Sequence, residues 1–205
     1  MRIAIDGPAA AGKTTLARSL AEALGYLFVP TGAMYRAAAL ARQRQIPLES
    51  MEISVEAGGR VSLCGEDVTD VLSRPDLDEM SSRMAVDSRI RRRLVEIQRR
   101  IAANGSVVME GRDIGTVVLP DAELKIFLWA TEEERARRRH EDQGGEFAEI
   151  LAGIRRRDER DSTRPDSPLR EASDAVVVDT TGKRPAEVLT AVLELAEERR
   201  ARLAR

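Results

Sequence analysis

Apolar positions in this chain keep two rhythms that alternate from one end to the other. Ile3-Ala4-Ile5 is a short apolar run broken by Asp6-Gly7-Pro8, the pattern of a buried strand entering a turn. Leu16, Leu20, Ala23 and Leu24 then return at helical spacing until Gly25 closes the helix. Tyr26 to Val29 is a second short run, and residues 32–46 go back to helical spacing. The segment Ile53 to Val71 changes character, with Val61, Leu63 and Val68 set among Gly58-Gly59 and Gly65-Glu66-Asp67; this predicts a small β-rich insertion. Residues 76–103 predict one or two helices ending at Asn104-Gly105. Val107-Val108-Met109 and Leu124 to Trp129 read as strands, followed by helices near 132–142 and 147–160 on either side of Gly144-Gly145. A strand over Ala175 to Val178 and an amphipathic helix opening at Pro185 complete the pattern.

Short strands separated by helices predict an α/β fold, a mostly parallel sheet covered by helices on both faces. Ligands of such sheets bind beyond the carboxyl ends of the strands. The residues after Ile5, Val29, Met109 and Trp129 are therefore the ones to read for chemistry.

Composition narrows the class. A chain of 205 residues suits one domain, and at that length roughly 70% of the unfolded surface can be buried. Hydrophobic residues at 42% and charged residues at 33% fit a globular protein. No apolar run approaches the ~18 residues of a membrane span, and MRIAIDGP lacks the basic start and long apolar stretch of a leader, so the expected location is the cytoplasm. One cysteine, Cys64, and one histidine, His140, leave neither an internal disulfide nor a Cys/His zinc cage. The net charge of −2 gives no overall attraction for nucleic acid or anionic lipid, and 3% aromatic content supplies few stacking platforms. Of the 33 basic residues only Lys13, Lys125 and Lys183 are lysines. Codon composition or a warm-living source accounts for the arginine total, but the placement of those guanidinium forks matters, because they suit carboxylates and phosphates.

Gly7-Pro8-Ala9-Ala10-Ala11-Gly12-Lys13-Thr14 matches G-x-x-x-x-G-K-[ST] and lies between a strand and a helix, the context its mechanism requires. Backbone N–H groups of such a loop, with the helix N-terminus behind them, form a concave donor site for phosphate oxygens. Lys13 is placed to reach the β and γ phosphates and Thr14 to ligand Mg²⁺. A guanine-reading switch is excluded, because its Asn-Lys-x-Asp motif needs an asparagine before a lysine and the only asparagine, Asn104, precedes Gly105. Thr31-Gly32-Ala33-Met34-Tyr35-Arg36 offers a hydroxyl, a tight turn and an arginine to an anionic acceptor; Glu110-Gly111-Arg112-Asp113-Ile114-Gly115-Thr116 follows a third strand. Arg157, Arg160, Asp161 and Arg164 share one helical face, and Arg135, Arg138 and Arg139 another. Two arginine faces around Gly144-Gly145 have the composition of a closing lid.

Together these segments resemble the bacterial-type cytidylate kinases, relatives of the other nucleoside monophosphate kinases. The likeness runs from IDGPAAAGKTT through TGAMYR, GEDVT and MEGRDIGTVVLPDAELKIFL to ERARRR and RRRDERDSTR. It implies a single P-loop kinase domain over residues 1–205. Its core would be 1–30, 104–131 and 166–205, its monophosphate-binding region 31–103 with the insertion at about 50–75, and its helical lid about 132–165. By the same resemblance Gly7, Pro8, Ala9, Ala10, Ala11, Gly12, Lys13, Thr14 and Thr15 would hold ATP. Thr31, Arg36, Arg91, Arg112, Asp113, Arg157, Asp161 and Arg164 would line the acceptor site, and Lys13, Arg138, Arg139 and Arg157 would offset charge on the transferring group. Pro30 and Glu110 stand where the family commonly has aspartate, Thr31 replaces a serine, and the insertion is short.

The implied reaction moves the γ-phosphoryl group of Mg·ATP to CMP or dCMP in a monomeric enzyme with no nucleic-acid or membrane partner. A P-loop kinase for UMP, AMP, dTMP or shikimate is the alternative on the same core, and a non-catalytic ATP-binding module the alternative of another class. Outside the site, Cys64 is expected as a small apolar filler in the insertion, Trp129 as a packing residue, His140 as solvated, and Arg199 to Arg205 as a frayed tail.

Overall fold

The strand β1 (Arg2–Asp6) is apolar on both faces because it lies at the centre of a five-stranded sheet. The computed structural model describes residues 1–204. After β1 come α1 (Lys13–Leu24), β2 (Leu27–Pro30) and α2 (Thr31–Gln43). A small sheet follows, made of β3 (Ile53–Val55), β4 (Val61–Leu63) and β5 (Glu66–Asp67), then α3 (Pro75–Met84) and α4 (Ser88–Ala103). The chain returns to the main sheet with β6 (Val107–Glu110) and β7 (Leu124–Trp129). It ends with α5 (Glu132–Gln143), α6 (Phe147–Thr163), β8 (Val176–Asp179) and α7 (Pro185–Leu203).

The main sheet has the order β2-β6-β1-β7-β8, every neighbouring pair parallel. Successive side chains of β1 point to opposite faces. Ile3 and Ile5 pack with Leu16 and Leu20 of α1 and Val188 and Val192 of α7. Ala4 faces the other way, into a core with Met34, Ala37 and Leu40 of α2 and Leu94 and Ile97 of α4. Helices therefore cover both faces, and the parallel α/β reading holds. The insertion is a three-stranded antiparallel sheet that buries Ile53, Val61, Leu63 and Val68 against the α2 side of the core.

Several local expectations need correction. The helix expected over 32–46 stops at Gln43, because Gln45 takes a left-handed φ of 58° and turns the chain. The 76–103 stretch does hold two helices, one of the two readings of its pattern; they divide at Asp87, whose carboxylate accepts from the Arg89 and Ile90 N–H groups and caps α4. Cys64 is not a filler: it is exposed, in the turn after β4, at a φ of 51°. Trp129 is not a packing residue: it is 43% exposed, the last residue of β7. Arg199 is helical, not frayed, because α7 continues to Leu203; Arg205 lies outside the described residues. Among the described residues no helix is long and apolar enough to cross a membrane.

Candidate active site

The carboxyl ends of β1, β2, β6 and β7 meet at one rim of the sheet, and the loop of residues 7–12 leaves β1 there. Gly7 takes a φ of 148°, and a Cβ on it would run into the carbonyl oxygen of Leu128 on the neighbouring strand. Ala10 and Gly12 take left-handed φ values of 58° and 89°, so the loop curls into α1, where the Gly12 carbonyl accepts from the Leu16 N–H at 3.0 Å. Lys13 opens α1. It is buried, and its Nζ donates to the Pro8 carbonyl at 2.6 Å. Burial, with Arg112 nearby, lowers its pKa to about 7, so an anion bound against it would stabilise the charged form.

Two cavities flank this lysine. One, of about 890 Å³, is lined by the loop from Ala10 to Thr15, by Arg137, Arg138 and Arg139 of α5, and by Thr180 and Gly182 to Ala186 after β8. Arg138 reaches across it, donating to Glu134 at 2.8 Å and to the Thr180 hydroxyl at 3.1 Å. Gly7 and Pro8 lie behind the loop and line neither cavity. The other cavity, of about 840 Å³, is lined by Ala9 and by all eight residues expected at an acceptor site: Thr31, Arg36, Arg91, Arg112, Asp113, Arg157, Asp161 and Arg164. Lys13, Thr14 and Arg139 line both.

The second cavity is held in shape by buried charge. Asp113 pairs with Arg91 of α4 and lies 3.6 Å from Arg164 just past α6. Arg112 donates to Asp161 at 2.7 Å. Burial alone would raise the Asp161 pKa, but Arg112 outweighs it and holds the carboxyl below its ordinary value. Arg164 is lowered, by burial first and then by the charge of Arg91. Thr31 begins α2 and donates to the Glu110 carbonyl at 2.7 Å. Asp6, at the end of β1, accepts from the N–H groups of Ile114 and Gly115 at 2.8 and 2.7 Å and so moors the π-helical turn Ile114–Val118 that follows Asp113. Burial pushes its pKa up to about 6.

Three contacts were not legible as site features. The Thr14 hydroxyl donates to Glu110 Oε1 at 3.2 Å, which brings an acidic side chain to the foot of the phosphate loop. Its sequence signal was an acid ending the strand that pairs with β1, Ile5 opposite Glu110. Asp78 of α3 meets three arginines from three other helices. Arg135, read as one face with Arg138 and Arg139, turns inward instead: it donates to Ala130 and Ala9 carbonyls at 3.0 and 3.1 Å and pairs with Asp158. It braces the phosphate loop and is not free to meet a ligand.

Such a site, two polyanion-sized cavities meeting at one lysine, suits transfer of a group between two phosphates. The family model for cytidylate kinase matches residues 3–198. The cytidylate kinase of Carboxydothermus hydrogenoformans is 45% identical over 214 residues, covering 95% of this chain and 96% of that one. Among solved structures, an uncharacterized protein from Eubacterium ventriosum superposes with a TM-score of 0.60 at 16% identity, over 97% of this chain and 98% of the other. A shikimate kinase from Bacteroides thetaiotaomicron gives a TM-score of 0.51 at 15% identity, over 96% and 98%. At those identities the two structures speak for the fold alone.

Proposed function

The chain belongs to the cytidylate kinase family, and from that premise we infer that it transfers the γ-phosphoryl group of ATP to CMP or dCMP, giving ADP and CDP or dCDP. The observation that carries the reading is the pair of cavities meeting at Lys13, one lined by the phosphate loop and the other by six arginines. ATP occupies the first, with its phosphates on the loop N–H groups and Lys13 on the group in transit. The monophosphate occupies the second. An acceptor phosphate oxygen attacks the γ phosphorus as the bond to the β–γ bridging oxygen breaks, and that electron pair leaves with ADP. The acceptor is already an anion, so no general base is required; alignment and charge neutralisation do the work.

Arg36 and Arg157 take the acceptor phosphate, while Arg138 and Arg139 close over the donor. Cytosine carries an amino donor on its pairing edge, and Asp113, held in place by Arg91 and Arg164, is one of the carboxylates lining that cavity. Uracil presents a carbonyl there, which would leave a buried carboxylate opposing an oxygen, the kind of mismatch that costs most in discrimination. Mg²⁺ fits the donor set at the loop, where Thr14 and Glu110 offer hard oxygens. Among the described residues no three His, Cys, Asp or Glu side chains form a cage, so phosphates and water complete such a shell. When bound, that ion neutralises charge on the β and γ phosphates.

The test is ADP release from Mg·ATP with CMP, dCMP, UMP, AMP, GMP and shikimate offered separately. Turnover confined to CMP and dCMP is the expected result. Turnover with another acceptor keeps the kinase and discards the specificity argument; ATP binding with no acceptor-dependent release indicates a binding module.

A further inference from the structure

We propose that Asp78 is an internal counter-ion of the acceptor-phosphate arginines, a positioning residue that the incoming phosphate displaces and that sets how tightly an anion must bind to enter. The proposal rests on the reading that the second cavity receives a monophosphate.

Asp78 stands on α3, and its carboxylate gathers guanidiniums from three helices far apart in the chain. Arg157 of α6 donates to Oδ2 at 2.9 Å, Arg36 of α2 approaches Oδ1 at 3.5 Å, and Arg139 of α5 lies 3.9 Å from Oδ2. Asp78 also lines both the 840 Å³ cavity and an adjoining one of about 490 Å³ between α3 and α6. It therefore forms part of the wall between them, on the approach to the arginines.

Two features mark this carboxylate as displaceable. The two buried aspartates of the cavity are committed, Asp113 to Arg91 and Arg164, and Asp161 to Arg112, with little exposure, Glu110 meets Thr14 and the exposed Glu79 pairs with Arg83; the Asp78 side chain is 32% exposed. Its arginines are also under-used. The Nε groups of Arg36 and Arg157 are buried with no hydrogen-bond partner, so each guanidinium keeps a donor for a second anion. A phosphate, with three oxygens in fork geometry, satisfies such donors better than one carboxylate does. The α3–α6 contact has a second, uncharged tie: Arg160 donates to the Ser82 hydroxyl at 2.7 Å, so losing the Asp78 charge does not release the helices. The consequence is selective. Free inorganic phosphate has no sugar or base contacts to offset expelling Asp78, whereas a nucleotide brings them.

The experiment compares wild type with D78N, D78E and S82A, measuring binding of inorganic phosphate by calorimetry and KM and kcat for CMP. D78N keeps the shape and loses the charge. It should bind phosphate about three- to tenfold more tightly and lower the KM for CMP by a similar factor, with kcat changing less, the scale of a partly exposed charge pair. D78E, which retains the charge, and S82A, which retains Asp78, should both keep wild-type phosphate affinity. Phosphate affinity unchanged or weakened in a D78N protein that melts like wild type overturns the proposal. So does equal tightening in S82A, which would assign the effect to loosened helices. Phosphate binding needs no turnover, so a wild-type enzyme that fails to phosphorylate CMP sinks the kinase reading and leaves this comparison standing.

Discussion

Replacing Asp113 by asparagine tests whether the acceptor cavity is an electrostatic assembly. The carboxylate lies between two guanidiniums, and all three side chains are nearly sealed: 8% exposure for Asp113, 5% for Arg91 and 4% for Arg164. Asparagine preserves the shape and one acceptor oxygen but removes the anion, which leaves two buried cations facing each other. Breaking a buried pair from one side costs about 3–5 kcal/mol, because the survivor stays desolvated and uncompensated. For a chain near 200 residues each kcal/mol moves Tm by about 2–4 °C, so D113N should melt about 6–20 °C below wild type. Far-UV circular dichroism is the assay, and the difference should hardly respond to salt, since buried pairs are weakly screened. Arg91→Met supplies the internal control. It leaves Asp113 with Arg164 still beside it, so it should cost less than D113N. A D113N protein melting within about 3 °C of wild type, or an R91M protein melting lower than D113N, would refute the reasoning.

Lys13→Ala should lower kcat by at least about 100-fold while leaving the circular dichroism spectrum intact, since the lysine costs the fold desolvation and serves the transferring phosphoryl group; near-normal kinetics would remove it from the mechanism. Burial raises Asp6 to about 6, above an ordinary carboxyl, so between about pH 4 and 6 the folded chain holds a proton that the unfolded chain has released. Its contribution to stability is therefore greatest in acid and is lost as pH rises through that window. The Tm of wild type minus that of Asp6→Asn should fall across it, and a flat difference would show that Asp6 does not titrate there. Gly7→Ala forces a Cβ onto the Leu128 carbonyl, a backbone atom that cannot step aside, and should yield little folded protein; soluble expression at wild-type Tm would contradict that packing.

What could be read from the chain was local. The strands β1, β2, β7 and β8 each announce themselves with the helix that follows, and the phosphate loop is contiguous, so both survive without knowledge of the fold. The eight acceptor residues follow from the family resemblance, Arg91 from no motif of its own, and the structure brings them to one cavity. What escaped depends on distance along the chain: Asp78 meets Arg157 across 79 residues, and Arg135 reaches Ala9 across 126. No spacing rule links such positions. Arg135 was misjudged because helical periodicity tells which residues share a face, not how much of that face the rest of the chain covers. Trp129 and Cys64 failed for another reason. Apolar character favours burial, but the last residue of a strand or a residue in a tight turn can lie beyond the core.

The bracket around Ala9 has a reciprocal meaning. Asp158 of α6 accepts from the Ala9 N–H at 3.2 Å while Arg135 of α5 donates to the Ala9 carbonyl, so the two helices hold the peptide groups on either side of one residue in the phosphate loop. The packing of α5 and α6 and the shape of the loop are then coupled. Linkage requires that any ligand which shifts one shifts the other in the same ratio. No separate messenger is needed between the helices and the loop: a change at one is felt at the other through a single residue.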